Sequence, residues 1–218
     1  MSPSPAPYDR VIGRSPDENR PRHGRRWALV VLAPAVLLLG ACGDEDEPDP
    51  RSFAGSMQVP LETGELDQLI LNVQTVLGSP YVWGGDDPES GFDCSGLVQW
   101  GFRQLGFGDF RYGDAIYPEI TAHDLYHSNT QPVADMDGMK RGYFIFFDEN
   151  GDGRISHNAI FDYVDDQGRI WVYDAYSTWG VVAHRYVEDF ANKGPLLGRP
   201  LKTIPHQTAG ASTPPPNP

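Results

Sequence analysis

A chain of 218 residues, 39% of them hydrophobic, has room for one domain with a core of ordinary size and for tails beside it. Its 30 acidic residues outnumber 17 basic ones, and the basic ones lie early: six arginines precede Cys42, after which 11 basic residues face 27 acidic ones. No basic stripe remains there to follow a phosphate backbone, which argues against nucleic acid as a partner.

Residues 1–26 are polar and Pro-containing and end in Arg20, Arg22, Arg25 and Arg26. An apolar run of 13 residues follows, Trp27 to Leu39, with Pro34 inside it. That is short for a membrane span and right for the core of a signal peptide. The run closes in Leu39-Gly40-Ala41-Cys42, which resembles the bacterial lipoprotein box. The resemblance implies that residues 1–41 are removed as a signal peptide and that Cys42, the new N-terminus, carries a lipid. An uncleaved signal anchor is the alternative. The expected location is the cell envelope, lipid-anchored to a bacterial membrane and facing outward. Residues 42–62, which open on acidic and Pro-containing sequence, are expected to form a flexible tether.

The folded domain is expected over 63–204. Thr63 suits a helix N-cap and Glu65 its first turn. Leu66, Leu69, Ile70, Val73, Val76 and Leu77 recur at helical spacing up to Gly78, an amphipathic helix that serves only the core. The next stretch, Pro80 to Gly106, reads PYVWGGDDPESGFDCSGLVQWGFRQLG. A Pro/Gly-rich loop ends at Cys94, and Leu97, Val98, Gly101, Phe102 and Leu105 continue at helical spacing to Gly106. Cys94 therefore falls in the first turn of a buried helix. Free N–H groups and the helix dipole favour a thiolate there, and the thiolate is the nucleophile. With Cys42 lipidated and Cys94 the nucleophile, no cysteine is left for a disulfide.

Residues 107–142 carry many turn formers and little apolar period. His123 and His127, four apart, have no third ligand at a familiar spacing and read as surface histidines. Strands are expected at Tyr143 to Phe147, His157 to Val164, Arg169 to Ala175, Val181 to Val187 and Leu196 to Thr203. Asp165-Asp166-Gln167-Gly168 marks a hairpin turn. A two-residue loop at Asp166 and Gln167 would set His157 opposite Tyr176, with Asp174 a diagonal neighbour on the same face. An odd-sized loop would turn Asp174 to the other face. Residues 205–218 are a Pro-rich tail, expected to be disordered.

A cysteine nucleophile needs a base and a group that orients the base. His157 and Asp174 can supply these. PYVWGG, DCSGLVQW, the histidine opening a strand in SHNAIF and the DA pair on the next strand together resemble the NlpC-type cysteine peptidases, papain-like bacterial cell-wall endopeptidases. The resemblance implies an α+β, papain-like fold, with the nucleophile helix packed on a small antiparallel sheet of about five strands. It implies Cys94 as nucleophile, His157 as base and Asp174 at the orienting position, where relatives more often carry histidine. Tyr81 takes the place of a tyrosine that helps hold the oxyanion, and Asp93 and Ser95 flank the cysteine where the family binds the stem-peptide amine. Lys140-Arg141-Gly142-Tyr143 departs from the Pro-Gly-Asp turn usual before the strand. The implied reaction is hydrolysis of an amide in the peptidoglycan stem peptide, typically between D-glutamate and the diamino acid, without a cofactor. The alternatives are the same fold acting on another amide or acyl bond, and a non-catalytic, calcium-binding envelope lipoprotein.

One further segment, Asp148 to Ile155, matches the first half of a calcium loop. Asp148, Asn150 and Asp152 stand at positions 1, 3 and 5, Gly153 at 6, Arg154 at 7 and Ile155 at 8. Position 12 is Ala159, so the usual glutamate is missing. A structural calcium ion is expected here, its remaining ligand coming from water or another carboxylate; the alternative is an Asp/Gly-rich turn between strands.

Overall fold

The computed structural model describes residues 51–205. The expected signal peptide, Cys42, the first part of the tether and the tail beyond Pro205 lie outside the described residues. In chain order the elements are β1 (Ser56–Pro60), α1 (Thr63–Gln74), β2 (Asp86–Asp87), β3 (Gly91–Phe92), α2 (Cys94–Gln104), β4 (Phe110–Tyr112), β5 (Ala115–Tyr117), α3 (Ala122–Asn129), β6 (Thr130–Val133), β7 (Phe144–Phe147), β8 (His157–Val164), β9 (Ile170–Tyr176), β10 (Val181–Tyr186) and β11 (Leu196–Pro205). The main sheet runs β1-β11-β7-β8-β9-β10, with β6 also paired to β11, and its pairings are antiparallel. The α+β class and all five expected strands are present.

The sheet is wider than expected because β1 and β6 add to it. β1 falls inside the expected tether and pairs with β11 from Ser56↔Pro205 to Pro60↔Leu201. Only Met57 and Val59 alternate within it, too short an apolar signal to stand out beside the acidic run before it. Glu62, rather than Thr63, precedes the first turn of α1, and the Glu65 carboxylate accepts the Glu62 N–H at 2.8 Å. Leu66, Leu69, Ile70, Val73 and Val76 are buried as expected, whereas Leu77 lies beyond the helix and is exposed.

α1 packs on α2 at close range. A Cβ on Gly101 would stand 2.5 Å from Leu69 Cδ1, so the glycine sets the approach. On its other side α2 meets the sheet through Phe102, whose ring lies 6.1 Å from Phe144 and 5.5 Å from Phe110. Fully burying a ring such as Phe102 or Phe144 contributes about 1.5–3 kcal/mol. The segment 107–142 is less irregular than its composition indicates. Thr121 caps α3 by accepting the Asp124 N–H at 3.2 Å. With eight residues and only Ala122 and Leu125 as buried apolar positions, α3 is too short to show a helical period.

The β8–β9 hairpin reaches the expected register by a different route. At its tip Val164 pairs with Ile170 and Tyr163 with Trp171, so the loop is odd-sized and would turn Asp174 away. A β-bulge between Phe161 and Tyr163 then inserts one extra residue, Asp162, into β8. Beyond it Phe161 pairs with Val172 and Ile160 with Tyr173, which is the register that carries Asp174 to the His157 face. Asp162 is buried, and its carboxylate meets the Arg141 Nε at 2.7 Å and the His184 Nε2 at 2.9 Å.

Candidate active site

Cys94 is placed by two glycine-containing motifs that form one unit. Cys94 is the first residue of α2, and Asp93 is its N-cap. Asp93 Oδ1 accepts the Gly96 N–H at 2.7 Å and the Ser95 hydroxyl at 2.9 Å, while Oδ2 accepts the Gly84 N–H at 2.9 Å. The Asp93 N–H donates to the Gly85 carbonyl at 2.8 Å. A Cβ on Gly96 would lie 2.0 Å from that same carbonyl oxygen, so only glycine fits. The PYVWGG and DCSG blocks are therefore locked together around Cys94. Asp93 and Ser95, expected where the family binds an amine, spend their side chains on this cap.

His157 opens β8 and is buried against the β9 strand. Its Nε2 lies 2.8 Å from Asp174 Oδ2, which leaves Nδ1 for the Cys94 side chain. Phe147 stacks on one side of the ring at 6.0 Å, and Tyr176 lies at 4.8 Å. Burial pushes the His157 pKa down, but hydrogen bonds to Asp174 and Cys94 outweigh it and lift the value to about 9. Asp174 is 1% exposed. Burial pushes its pKa up, and the bonds from His157 and Arg185 reverse this and hold it below its ordinary value. Asn158 Nδ2 donates to the Cys94 carbonyl at 3.0 Å and ties β8 to the start of α2. The expected Cys94, His157 and Asp174 thus meet in one place.

Two groups around this centre, Arg185 and Asn158, were not foreseen. Arg185, on β10, grips Asp174 with Nε at 3.0 Å and Nη2 at 2.5 Å. Tyr176 donates its hydroxyl to Glu149 at 2.9 Å, and Asn158 makes the bond just described. Arg185 was accessible in principle. The β9–β10 register pairs Asp174 with Ala183, which puts Arg185 diagonally across on the same face.

The centre opens into a groove of 940 Å³. Tyr81 lines it near Cys94; burial, helped by the charges of Cys94, Asp93 and Glu149, pushes its phenol up to about 12. The hydroxyl therefore stays protonated and can donate. Trp83, Tyr112 and Tyr117 expose their rings along the groove. Asp86, Asp93, Glu119, Asp124, Glu149 and Asp152 line it against Arg154, so it is strongly acidic.

The segment with calcium-loop spacing forms a tight turn around Asp148. Asp148 Oδ1 accepts the Gly151 N–H at 2.8 Å and the Asp152 N–H at 3.3 Å, and Oδ2 accepts the Gly153 N–H at 2.8 Å. Asp152 Oδ1 accepts the Arg154 N–H at 2.9 Å. These bonds close the turn from within, and the Gly153 N–H foremost holds the Asp148 carboxyl below its usual range. Asn150 and Arg154 lie at the groove wall. Position 12, Ala159, is buried inside β8 opposite Ile145 and brings no oxygen side chain. Among the described residues no group of three His, Cys, Asp or Glu side chains is gathered to hold a metal. The His123 and His127 rings lie 4.4 Å apart on α3, tilted by 60°, with His123 Nδ1 accepting the Ile155 N–H at 3.3 Å.

A thiol at a helix start, an imidazole within its reach and a buried carboxylate behind the imidazole define a cysteine hydrolase of the papain-like kind. Residues 78–192 match the model of the NlpC/P60 family, and the chain belongs to that family of cell-wall cysteine peptidases. It is 33% identical over 85 residues to murein DD-endopeptidase MepH of Escherichia coli, a match covering 39% of this chain and 28% of that protein. It is 38% identical over 85 residues to the bifunctional muramidase/DL-endopeptidase CwlT of Bacillus subtilis, covering 38% and 22%. With the gamma-DL-glutamyl hydrolase of Bacillus subtilis it shares 37% identity over 112 residues, covering 50% and 24%. The match thus spans less than a third of the length of each of these relatives. Among solved structures, the NlpC/p60 domain of peptidoglycan hydrolase SagA superposes with a TM-score of 0.43 at 25% identity, covering 62% of this chain and 97% of that one.

Proposed function

We propose that this domain hydrolyses an amide bond of the peptidoglycan stem peptide through Cys94, His157 and Asp174. The observation that carries the reading is the buried His157–Asp174 pair at 2.8 Å beside a cysteine that begins α2. His157 takes the thiol proton, and Asp174 fixes the ring so that Nδ1 faces the sulfur. The thiolate attacks the carbonyl carbon, and the oxyanion forms near the Cys94 N–H and the Tyr81 hydroxyl. His157 returns its proton to the leaving amine, and water then hydrolyses the thioester. No cofactor takes part.

The bond proposed is that between D-glutamate and the diamino acid. CwlT and the gamma-DL-glutamyl hydrolase carry names for DL activity, while MepH is named for a DD bond, which is the alternative. The groove carboxylates of Glu119, Asp124, Glu149 and Asp152 favour the diamino acid's ammonium. The reading places the protein in the cell envelope, held to a membrane by lipid on Cys42. For calcium at Asp148, Asn150, Asp152 and the Arg154 carbonyl, the support is sequence spacing alone.

Digestion of purified peptidoglycan, with mass identification of the fragments, tests the bond. New D-glutamate carboxyl termini are expected; cleavage only at D-alanine would replace this assignment. Replacing Cys42 with serine is expected to abolish fatty-acid labelling, and equal labelling of both forms would point to an uncleaved signal anchor.

A further inference from the structure

Asp174 is a charged group in a nearly dry setting, and His157 alone does not account for how it is held. Its two oxygens receive three charged or chargeable donors. Arg185 Nε donates to Oδ1 at 3.0 Å, Arg185 Nη2 to Oδ2 at 2.5 Å, and His157 Nε2 lies 2.8 Å from the same Oδ2. The Arg185 side chain is itself only 11% exposed. Its guanidinium lies 4.5 Å from the centre of the Tyr176 ring, and that ring is one of the two packed against His157. A planar fork on a carboxylate fixes both the position and the rotation of the carboxylate plane, which a single bond cannot do.

We propose that Arg185 is a positioning residue of the catalytic unit: it locks the Asp174 carboxylate in the orientation that presents Oδ2 to His157, and it offsets the carboxylate charge so that the imidazole is not over-stabilised as a cation. The proposal rests on the assignment of Cys94, His157 and Asp174 given above. It does not depend on which bond is cleaved.

The two effects have separate signatures. Arg185 Nη2 and His157 Nε2 share one oxygen, so they are no more than about 5 Å apart, a distance at which two cations repel appreciably even with substantial screening. Removing the arginine charge raises the His157 pKa, by roughly one to two units. Removing only the fork leaves the pKa near its starting value and costs orientation. The other ionisable groups facing the ring or its immediate partners are Cys94 from α2, Tyr176 and Asp174 from β9, Tyr81 and Glu149 across the groove, and Lys193 near the Phe147 ring. They are the same in the wild type and in the two Arg185 variants that are titrated.

The test uses the free protein and needs no substrate for its first reading. His157 is titrated by NMR of its labelled ring nitrogens in the wild type and in Arg185→Met and Arg185→Lys. Arg185→Met is expected to shift the titration upward by about one unit or more, and Arg185→Lys to leave it within about half a unit. Turnover of a muropeptide is then measured. Both variants are expected to lose roughly tenfold or more in kcat, because both lose the fork. When Asp174 is already alanine, adding Arg185→Met is expected to change kcat by less than about twofold. An unmoved titration in Arg185→Met, or full activity in Arg185→Lys, overturns the proposal. An equal loss from Arg185→Met with and without Asp174 shows that the arginine does not act through the carboxylate and overturns it too. If Arg185→Met does not fold, the Lys variant alone decides the fork. If no stem peptide is cleaved by the wild type, the assigned reaction fails while the titration still reads the charge effect.

Discussion

Replacing Gly96 with alanine is expected to damage catalysis far more than one methyl group ordinarily would. The new Cβ would lie 2.0 Å from the Gly85 carbonyl oxygen, 2.9 Å from its carbon and 3.0 Å from Asp86 Cα. All three are backbone atoms, so no side chain can rotate out of the way. Restoring a contact of about 3.4 Å moves the first turn of α2 and the Gly85 loop apart by more than about 1 Å. Overpacking of this kind costs about 1–3 kcal/mol of stability, which lowers the melting temperature by several degrees in a domain of this size. Cys94 rides on the same turn, and a shift of about 1 Å in a reacting atom costs roughly a hundredfold in rate. The assay compares kcat/KM on a muropeptide and the calorimetric melting temperature of wild type and Gly96→Ala. Gly64→Ala, whose added Cβ meets nothing within 4 Å, is the control. Wild-type kcat/KM in Gly96→Ala would show that the packing of the two motifs does not set the position of the nucleophile.

Four further outcomes are expected. The imidazolium that donates to the leaving amine is retained up to about pH 9, so kcat/KM should fall on the alkaline side near that value, and an alkaline limb close to the ordinary histidine value of 6.5 contradicts the pairing. The same raised pKa means that the His157 contribution to stability is complete below pH 6.5 and is lost as pH rises through about 9; denaturant melts across that window read it. Asp174→Asn keeps an acceptor and should lose roughly 10- to 100-fold in kcat, against about a thousandfold or more for His157→Ala; unchanged rates in both Asp174→Asn and Asp174→Ala would remove Asp174 from the mechanism. With calcium in the Asp148 loop, chelation is expected to lower the melting temperature; no heat of binding at millimolar calcium, with an unchanged melting temperature, would leave a turn closed only by its own backbone.

What the sequence made legible was whatever its local patterns encode strongly. The Cys94 helix shows because Leu97, Val98 and Phe102 repeat at helical spacing after a glycine-rich loop. β7 shows because Tyr143 to Phe147 is a continuous apolar run between Gly142 and Asp148. The meeting of His157 and Asp174 was legible only conditionally. It depends on the bulge at Asp162, and a bulge is a two-strand event with no signature on one strand. Arg185 was hidden for a related reason: an arginine on a half-buried strand reads as a solvent-facing charge until the neighbouring register is known. The calcium spacing does not decide between an ion site and a plain turn, because Asp and Gly at those intervals also build a turn that Asp148 can close alone. β1 was lost to the acidic composition beside it.

The central claim is that the thiol of Cys94 is the attacking group, and the most direct measurement is release of soluble muropeptides from purified peptidoglycan by wild type and Cys94→Ala at equal concentration. Circular dichroism first establishes that both are folded. Cys94→Ala is expected to release nothing above the enzyme-free background while wild type releases fragments steadily. Release by Cys94→Ala at the wild-type rate would contradict the account.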